Sequence, residues 1–197
     1  MSQLVTITHD IEMLGSPFKL KKDRVYSAEP ATNQPDWESK RLVFVNSILL
    51  SLDDDCIASI EEVPEPDEFT LAYLECAIWS SHDWSLCGDD DPDAPSNPVP
   101  MYENYSVSDI ADDSLAQMIA DCISFQRIYG IPGYDDPRYS DDEKAGHDFW
   151  LTRNGHGAGF WGRSELSKED QDKYTSAAKS FGECDLCVGD DGKVHTS

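Results

Sequence analysis

The densest gathering of groups able to move protons, ligate a metal or grip an anion is His147, Asp148, Arg153, Asn154 and His156, set beside Trp150 and Trp161. A His–Asp dyad would need its two side chains within hydrogen-bond reach. Phe149-Trp-Leu-Thr-Arg153 and His156-Gly-Ala-Gly-Phe-Trp161 read as two strands about Asn154-Gly155, the dipeptide suited to a type I′ turn whose central residues need positive φ. Strand alternation then puts Asp148, Trp150 and Thr152 on one side and His147, Phe149, Leu151 and Arg153 on the other, which splits the cluster. His147, Asp148, Arg153 and His156 are thus the catalytic candidates, but without a complete set of nucleophile, base and oxyanion donors. The alternative is a structural hairpin whose aromatics fill the core and whose glycines serve a tight turn and bulge.

Metal and cofactor chemistry finds less. Cys184 and Cys187 form the one C-x-x-C, and with His195 they offer three candidate ligands where a closed zinc site needs four, so structural thiols are expected. Cys76 and Cys122 sit on apolar helix faces and read as buried thiols, and six cysteines in 197 residues do not make a secreted disulfide scaffold. Asp89, Asp91 and Asp93 match the first three ligand spacings of a calcium loop. Ala94 replaces its turn glycine, however, and Pro100 stands where the bidentate Glu belongs, which leaves only a loose attraction for hard cations. There is no P-loop and no G-x-S-x-G, and Gly155-His-Gly-Ala-Gly does not open a helix, so no cofactor is expected.

The elements that must carry these residues begin with a separate N-terminal piece, residues 1–65. Val5-Thr-Ile-Thr and Arg24-Val-Tyr-Ser are strand candidates, and Ser39 to Leu52 leans to helix. The connector Glu61-Glu-Val-Pro-Glu-Pro-Asp closes that unit. In residues 66–197, Phe69, Ala72, Tyr73, Cys76 and Ala77 predict a helix over Asp67–Ser81, and the stretch from His82 to Glu103 is too rich in Pro and Asp for a regular element. Leu115, Met118, Ile119 and Cys122 predict a second helix from near Asp113 to Gly130. Ser167-Lys-Glu-Asp170 resembles a capping box ahead of Tyr174, Ala177, Ala178 and Phe181, and Gly189-Asp-Asp-Gly192 joins a closing hairpin. The predicted class is α+β, with antiparallel hairpins forming a small sheet packed by amphipathic helices.

Charge is placed rather than spread. From Leu42 to Gln126 the chain runs 85 residues without Lys or Arg while carrying 19 of its 39 Asp and Glu. Residues 1–41 hold six basic and six acidic side chains, and residues 127–197 hold nine against fourteen. Such a surface repels nucleic acid and anionic lipid and favours a protein with a basic groove. Asp53, Asp54, Asp55, Glu61, Glu62, Glu65, Asp67, Glu68, Asp89, Asp90, Asp91, Asp93, Asp112, Asp113 and Asp121 are the candidate binding residues. The outer helix faces are expected to present Glu68, Glu75, Asp112, Asp113 and Asp121 without internal ion pairs. Lys19, Lys21, Lys22 and Arg24 could pair with the acids of a second copy or be ordinary surface. The N-terminus lacks a basic region ahead of an apolar core, and no run approaches the roughly eighteen apolar residues of a membrane span, so a cytosolic protein is expected.

Gly146-His-Asp-Phe-Trp-Leu-Thr-Arg-Asn-Gly-His-Gly-Ala-Gly-Phe-Trp161 and Phe181-Gly-Glu-Cys-Asp-Leu-Cys-Val-Gly-Asp-Asp-Gly-Lys-Val194 resemble a family of small uncharacterised proteins encoded by tailed bacteriophages and prophages. Leu74-Glu-Cys-Ala-Ile-Trp-Ser-Ser81 and Asn104-Tyr-Ser-Val-Ser-Asp-Ile-Ala111 carry the same likeness, which covers Asp67 to Val194 and not residues 1–65. Relative to that family, the acidic loop from Asp83 to Val99 is longer. The resemblance implies an origin, a phage protein acting in the cytoplasm of an infected bacterium, rather than an activity. Joined to the charge, it gives the expected function: an acidic interaction protein, in its sharpest form a DNA mimic that inhibits a host nucleic-acid-binding or defence enzyme. One alternative is a small enzyme or ligand-binding module on the His147–Trp161 segment, and a second is a virion or assembly component. The bland reading of the acids is solubility or adaptation to salt, which a ratio of 26 Asp to 13 Glu also suits.

Overall fold

The computed structural model describes residues 3–8, 10–12, 19–20, 24–30, 40–45, 48–53, 57–85, 87 and 97–197, with the backbone alone for 12, 19, 29–30, 40–45, 48–53 and 57–61. The chain divides into two units, Met1–Glu65 with Leu115–Ile128 and Pro66–Ser114 with Tyr129–Ser197. The fold is α+β. The four candidate cations of the N-terminal piece fall partly among these residues: Lys21 and Lys22 lie outside them.

The first unit is built on a five-stranded antiparallel sheet. Its strands are β1 (Gln3–Ile7), β4 (Val25–Pro30), β5 (Lys40–Val45), β6 (Ile48–Asp53) and β7 (Ile57–Glu62), in the order β6-β5-β4-β1-β7. A two-stranded ladder of β2 (Ile11–Glu12) and β3 (Lys19–Leu20) precedes β4. Alternation along β1 and β4 sorts the side chains onto two buried faces. Val5, Ile7, Tyr26 and Ala28 join Leu20 on one. Leu4 and Val25 meet Ile119 and Ala120 of helix α2 (Asp112–Tyr129) on the other. Ser124 of α2 is buried and accepts a hydrogen bond from Val25 N at 2.7 Å, so a polar side chain inside the core is satisfied. The expected helix over Ser39–Leu52 is instead the β5–β6 hairpin, in register from Lys40↔Asp53 to Val45↔Ile48. Its Val, Phe, Ile and Leu run fits strand pairing, and β-branched density outweighed the ambiguous period.

In the second unit, α1 (Glu68–Ser80) starts at Asp67, whose carboxylate accepts from Thr70 N at 2.8 Å. Phe69, Ala72, Tyr73, Leu74, Cys76, Ala77 and Ile78 are all buried, so α1 hides more than one stripe. The segment His82–Glu103 is not wholly irregular, because β8 (His82–Asp83) pairs with β9 (Val99–Pro100) and Met101 is buried in the turn that follows. Helix α2 ends where expected, with Gly130 at φ +74. Helix α4 (Lys168–Lys179) is capped by Ser167, whose hydroxyl accepts from Asp170 N. The closing hairpin is β10 (Leu186–Val188) paired with β11 (Val194–Thr196), tied to the segment ahead of α2 by Ala111 N donating to Val194 O at 2.9 Å.

The predicted hairpin over Phe149–Trp161 does not form. Helix α3 (Asp141–Arg153) takes its first half, and a 3-10 turn, Phe160–Gly162, takes the place of its second strand. Ser140 accepts from Glu143 N at 3.0 Å at one end. At the other, Asn154 closes the helix and Gly155 follows at φ +67. Positive φ serves a helix stop as well as a hairpin turn, and the Ser140-Asp-Asp-Glu143 start decides between them. The five-stranded antiparallel sheet thus lies in the first unit, and among the described residues the second unit has only the two-stranded pairs β8–β9 and β10–β11.

Helices α1 and α3 pack against each other. Phe69 and Ala72 meet Gly146, Tyr73 stacks at 5.1 Å on Phe149 and edge-on at 5.3 Å against Trp150, and Trp150 Nε1 donates to Ser80 Oγ at 2.8 Å. Phe181 completes the cluster edge-on to Phe149 at 5.1 Å. Burying each such ring stabilises by about 1.5–3 kcal/mol, which makes this aromatic layer the main support of α3.

Candidate functional sites

On helix α3 the residues four apart share a face, so Lys144, Asp148 and Thr152 align where strand geometry would have scattered them. Asp148 has no solvent exposure. Both its oxygens accept from Arg163 Nε, at 2.9 and 2.8 Å, Oδ1 also accepts from Arg163 Nη2, and Oδ2 accepts from Tyr134 Oη at 2.9 Å. Burial pushes the Asp148 carboxyl up from its ordinary value against the pull of Arg163 and Tyr134. Burial, then the Asp148 charge, likewise raises the Tyr134 hydroxyl, and the same two causes push Cys76 to about 12. Cys76 and Tyr134 therefore stay neutral near pH 7.

Beside this pair lies a cleft of about 300 Å³, lined by Asp136, Arg138, Tyr139, Glu143, Lys144, His147, Arg163 and Glu165. Lys144 crosses its floor, donating to Asp136 Oδ2 at 3.0 Å and Glu165 Oε1 at 2.9 Å, with Nζ 4.8 Å from the Tyr134 ring centre. Burial works against the Lys144 charge, yet the bonds to Glu165 and Asp136 outweigh it and raise its pKa. Arg138, forked onto Asp136, and Lys144 hold the Asp136 carboxyl far below its usual range, and the bond from Lys144 lowers Glu165. His147 forms part of the wall, 6.5 Å from the Trp79 ring on α1. Burial keeps its imidazole below the ordinary value, with Arg163 adding to that and Asp148, Glu143 and Glu75 opposing it.

Of the four catalytic candidates, the fold brings His147 to the cleft, buries Asp148 behind Arg163 and takes the other two elsewhere. Arg153 is buried and donates to Tyr73 Oη at 2.6 Å, to Gly182 O at 2.8 Å and to Phe181 O, tying α1 and the end of α4 to α3. His156 is exposed beyond the helix end. Tyr134, Asp136, Lys144, Arg163 and Glu165 went unnoticed in the sequence. The signal available was Ser140-Asp-Asp-Glu143, which has the form of the Ser167 cap and would have set Lys144 and Asp148 on one helix face. Among the three metal candidates, Cys184 is buried, Cys187 is exposed on β10 opposite His195, and His195 Nε2 lies 3.0 Å from Asp191. Among the described residues no three metal-ligating side chains gather.

The acidic candidates fall into three groups. Asp54, Asp55, Asp89, Asp90, Asp91 and Asp93 lie outside the described residues. In the first unit, Asp53 and Glu61 are strand positions, Glu62 and Glu65 are exposed, and half-buried Asp121 accepts from Gln117 Nε2 at 3.1 Å. In the second, Asp67, Glu68, Asp112 and Asp113 are exposed at helix starts. Against the expectation of acids without internal ion pairs, Asp112 has Lys193 Nζ at 3.9 Å. That contact is long and between exposed groups, where an ion pair contributes little. Asp142 at the start of α3 is pushed up by burial and then by Glu68 and Asp67, which brings three carboxylates together where α1 and α3 begin. Glu68, Leu71, Glu75 and Trp79 run down the outer side of α1, all exposed, with Trp79 at 59%.

No protein-family model, curated protein or solved structure matches the chain. Among the described residues no helix is long and apolar enough to cross a membrane.

Proposed function

We propose that the chain is an acidic interaction protein of phage origin, acting in the cytoplasm of an infected bacterium. Its carboxylates occupy a basic groove of a host enzyme that handles nucleic acid, in place of phosphates spaced about 1.7 Å apart along duplex DNA. The observation that carries this reading is the outer stripe of α1, where Glu68 and Glu75 alternate with exposed Leu71 and Trp79. Carboxylates steer a cationic partner and fix its register, while an exposed Trp supplies the apolar anchor that binding hot spots favour. The absence of Lys and Arg from residues 42–126 leaves that stripe no cation of its own segment.

The cleft supports binding better than catalysis. Asp148 has both oxygens occupied, and the lining contains no Ser, Thr or Cys to act as a nucleophile. The test is capture of partners from bacterial lysate on the immobilised chain at low and high ionic strength. Basic nucleic-acid enzymes held at low salt, released at high salt and lost with Glu68→Lys/Glu75→Lys support the reading; recovery of particle proteins alone, or of nothing sensitive to salt, rejects it.

A further inference from the structure

We infer that the cleft beside α3 receives a single cationic side chain, lysine or arginine, from the basic partner. This rests on the reading of the chain as an acidic interaction protein and names the feature of that partner the cleft would read. Its volume of about 300 Å³ stands at the lower edge of ligand pockets, which suits one side chain rather than a cofactor. The charge inventory gives the sign. Arg163 is held by Asp148, Lys144 by Asp136 and Glu165, and Arg138 by Asp136, so each lining cation already has its counter-ion. Glu143 also lines the cleft and has no ion-pair partner among the described residues. Glu75, on α1 outside the lining, adds a further negative charge felt at the His147 imidazole. The surplus is negative.

The walls suit such a guest in two further respects. Tyr139 lines the cleft with a half-exposed ring, and the indole of Trp79 lies just beyond His147. Aromatic faces attract ammonium and guanidinium groups through the ring quadrupole. The inner wall is also fixed in advance, because buried Asp148 orients Arg163 and Lys144 spans two acids. Little reorganisation is then lost on binding. An anionic guest would meet lining cations whose charge carboxylates already match.

The experiment is titration of the ¹⁵N-labelled full chain with N-acetyl-arginine amide and, separately, with inorganic phosphate, in wild type and Glu143→Gln. Glu143 contributes its backbone N–H, not its side chain, to the Ser140 cap, so the variant keeps the helix start. The expected result is saturable shifts centred on Tyr139, Glu143, His147 and the Trp79 indole with the arginine probe, weakened about tenfold in Glu143→Gln. Phosphate should leave these signals in place. Shifts at the same residues with phosphate, or arginine-induced shifts spread over all the acids and unchanged in Glu143→Gln, would overturn the inference. A saturating arginine probe without any salt-sensitive partner sinks the proposed function and spares the cleft; a salt-sensitive partner without arginine binding does the reverse.

Discussion

Arg163 Nε stands 2.9 and 2.8 Å from the two oxygens of Asp148, a carboxylate that sees no solvent. Asp148 belongs to α3 and Arg163 follows the turn Phe160–Gly162, so the pair fixes the returning chain against the helix and holds Arg163 in the wall of the cleft. Phe160 N donates to Thr152 Oγ1 at 2.9 Å one turn further along. A Cβ on Gly159 would lie 2.1 Å from that same oxygen, which explains a glycine there.

Asp148→Asn should destabilise the second unit by about 3 kcal/mol, since removing one partner of a buried pair leaves the other uncompensated. Partial exposure of Arg163 keeps the figure at the low end of that class. Urea denaturation measures it, and Asp148→Asn/Arg163→Met should recover part of the loss. Equal stability of wild type and Asp148→Asn would show that the fork contributes nothing.

Ser140→Ala should cost about 1 kcal/mol, the usual loss for an N-cap, because its hydroxyl accepts from Glu143 N. A hairpin over Phe149–Trp161 would be indifferent to that change, so thermal denaturation of this variant separates the two conformations directly.

Gly146→Ala should destabilise although alanine is the better helix former. Its Cβ would sit 2.1 Å from the Phe69 carbonyl oxygen and 3.1 Å from Ala72 Cβ, so α1 and α3 must part. Overpacking of this kind costs about 1–3 kcal/mol. An unchanged urea midpoint would contradict the close packing of these helices.

The legible parts of the sequence were those with one clean period. Leu115, Met118, Ile119 and Cys122 marked α2 by their helical spacing, and Tyr174, Ala177 and Ala178 marked α4, which buries one side. Helix α3 escaped notice because Gly146, Asp148, Trp150, Thr152 and Arg153 are all buried, leaving no polar side to set a helical rhythm. Its Phe, Trp and Thr also favour strands, and Asn154-Gly155 reinforced that reading. Residue type singled out His147, which lines the cleft, and Asp148, which lies behind Arg163 without solvent exposure. The Asp148 partners Tyr134 and Arg163 are 14 and 15 residues away from it, and no local pattern links them.

Acid should weaken the fold through His147. Burial lowers its pKa in the folded chain, whereas an unfolded histidine takes a proton near 6.5. The unfolded state therefore binds the extra proton first, so this contribution is present above about pH 6.5 and is lost as pH falls through the lowered folded value. Comparing urea midpoints of wild type and His147→Gln across that window isolates the effect from the titrating carboxylates. The variant should show the shallower pH dependence; parallel curves would place the imidazole in solvent.

The central claim is that the carboxylates of the α1 face stand in for nucleic-acid phosphates. The most direct measurement is competition between the chain and duplex DNA for the enzyme captured at low salt, repeated with Glu68→Lys/Glu75→Lys. Mutual displacement by wild type, with a steep loss of affinity as salt rises and none by the double variant, is the expected result. Simultaneous binding of chain and DNA, or displacement that survives both charge reversals, would contradict it.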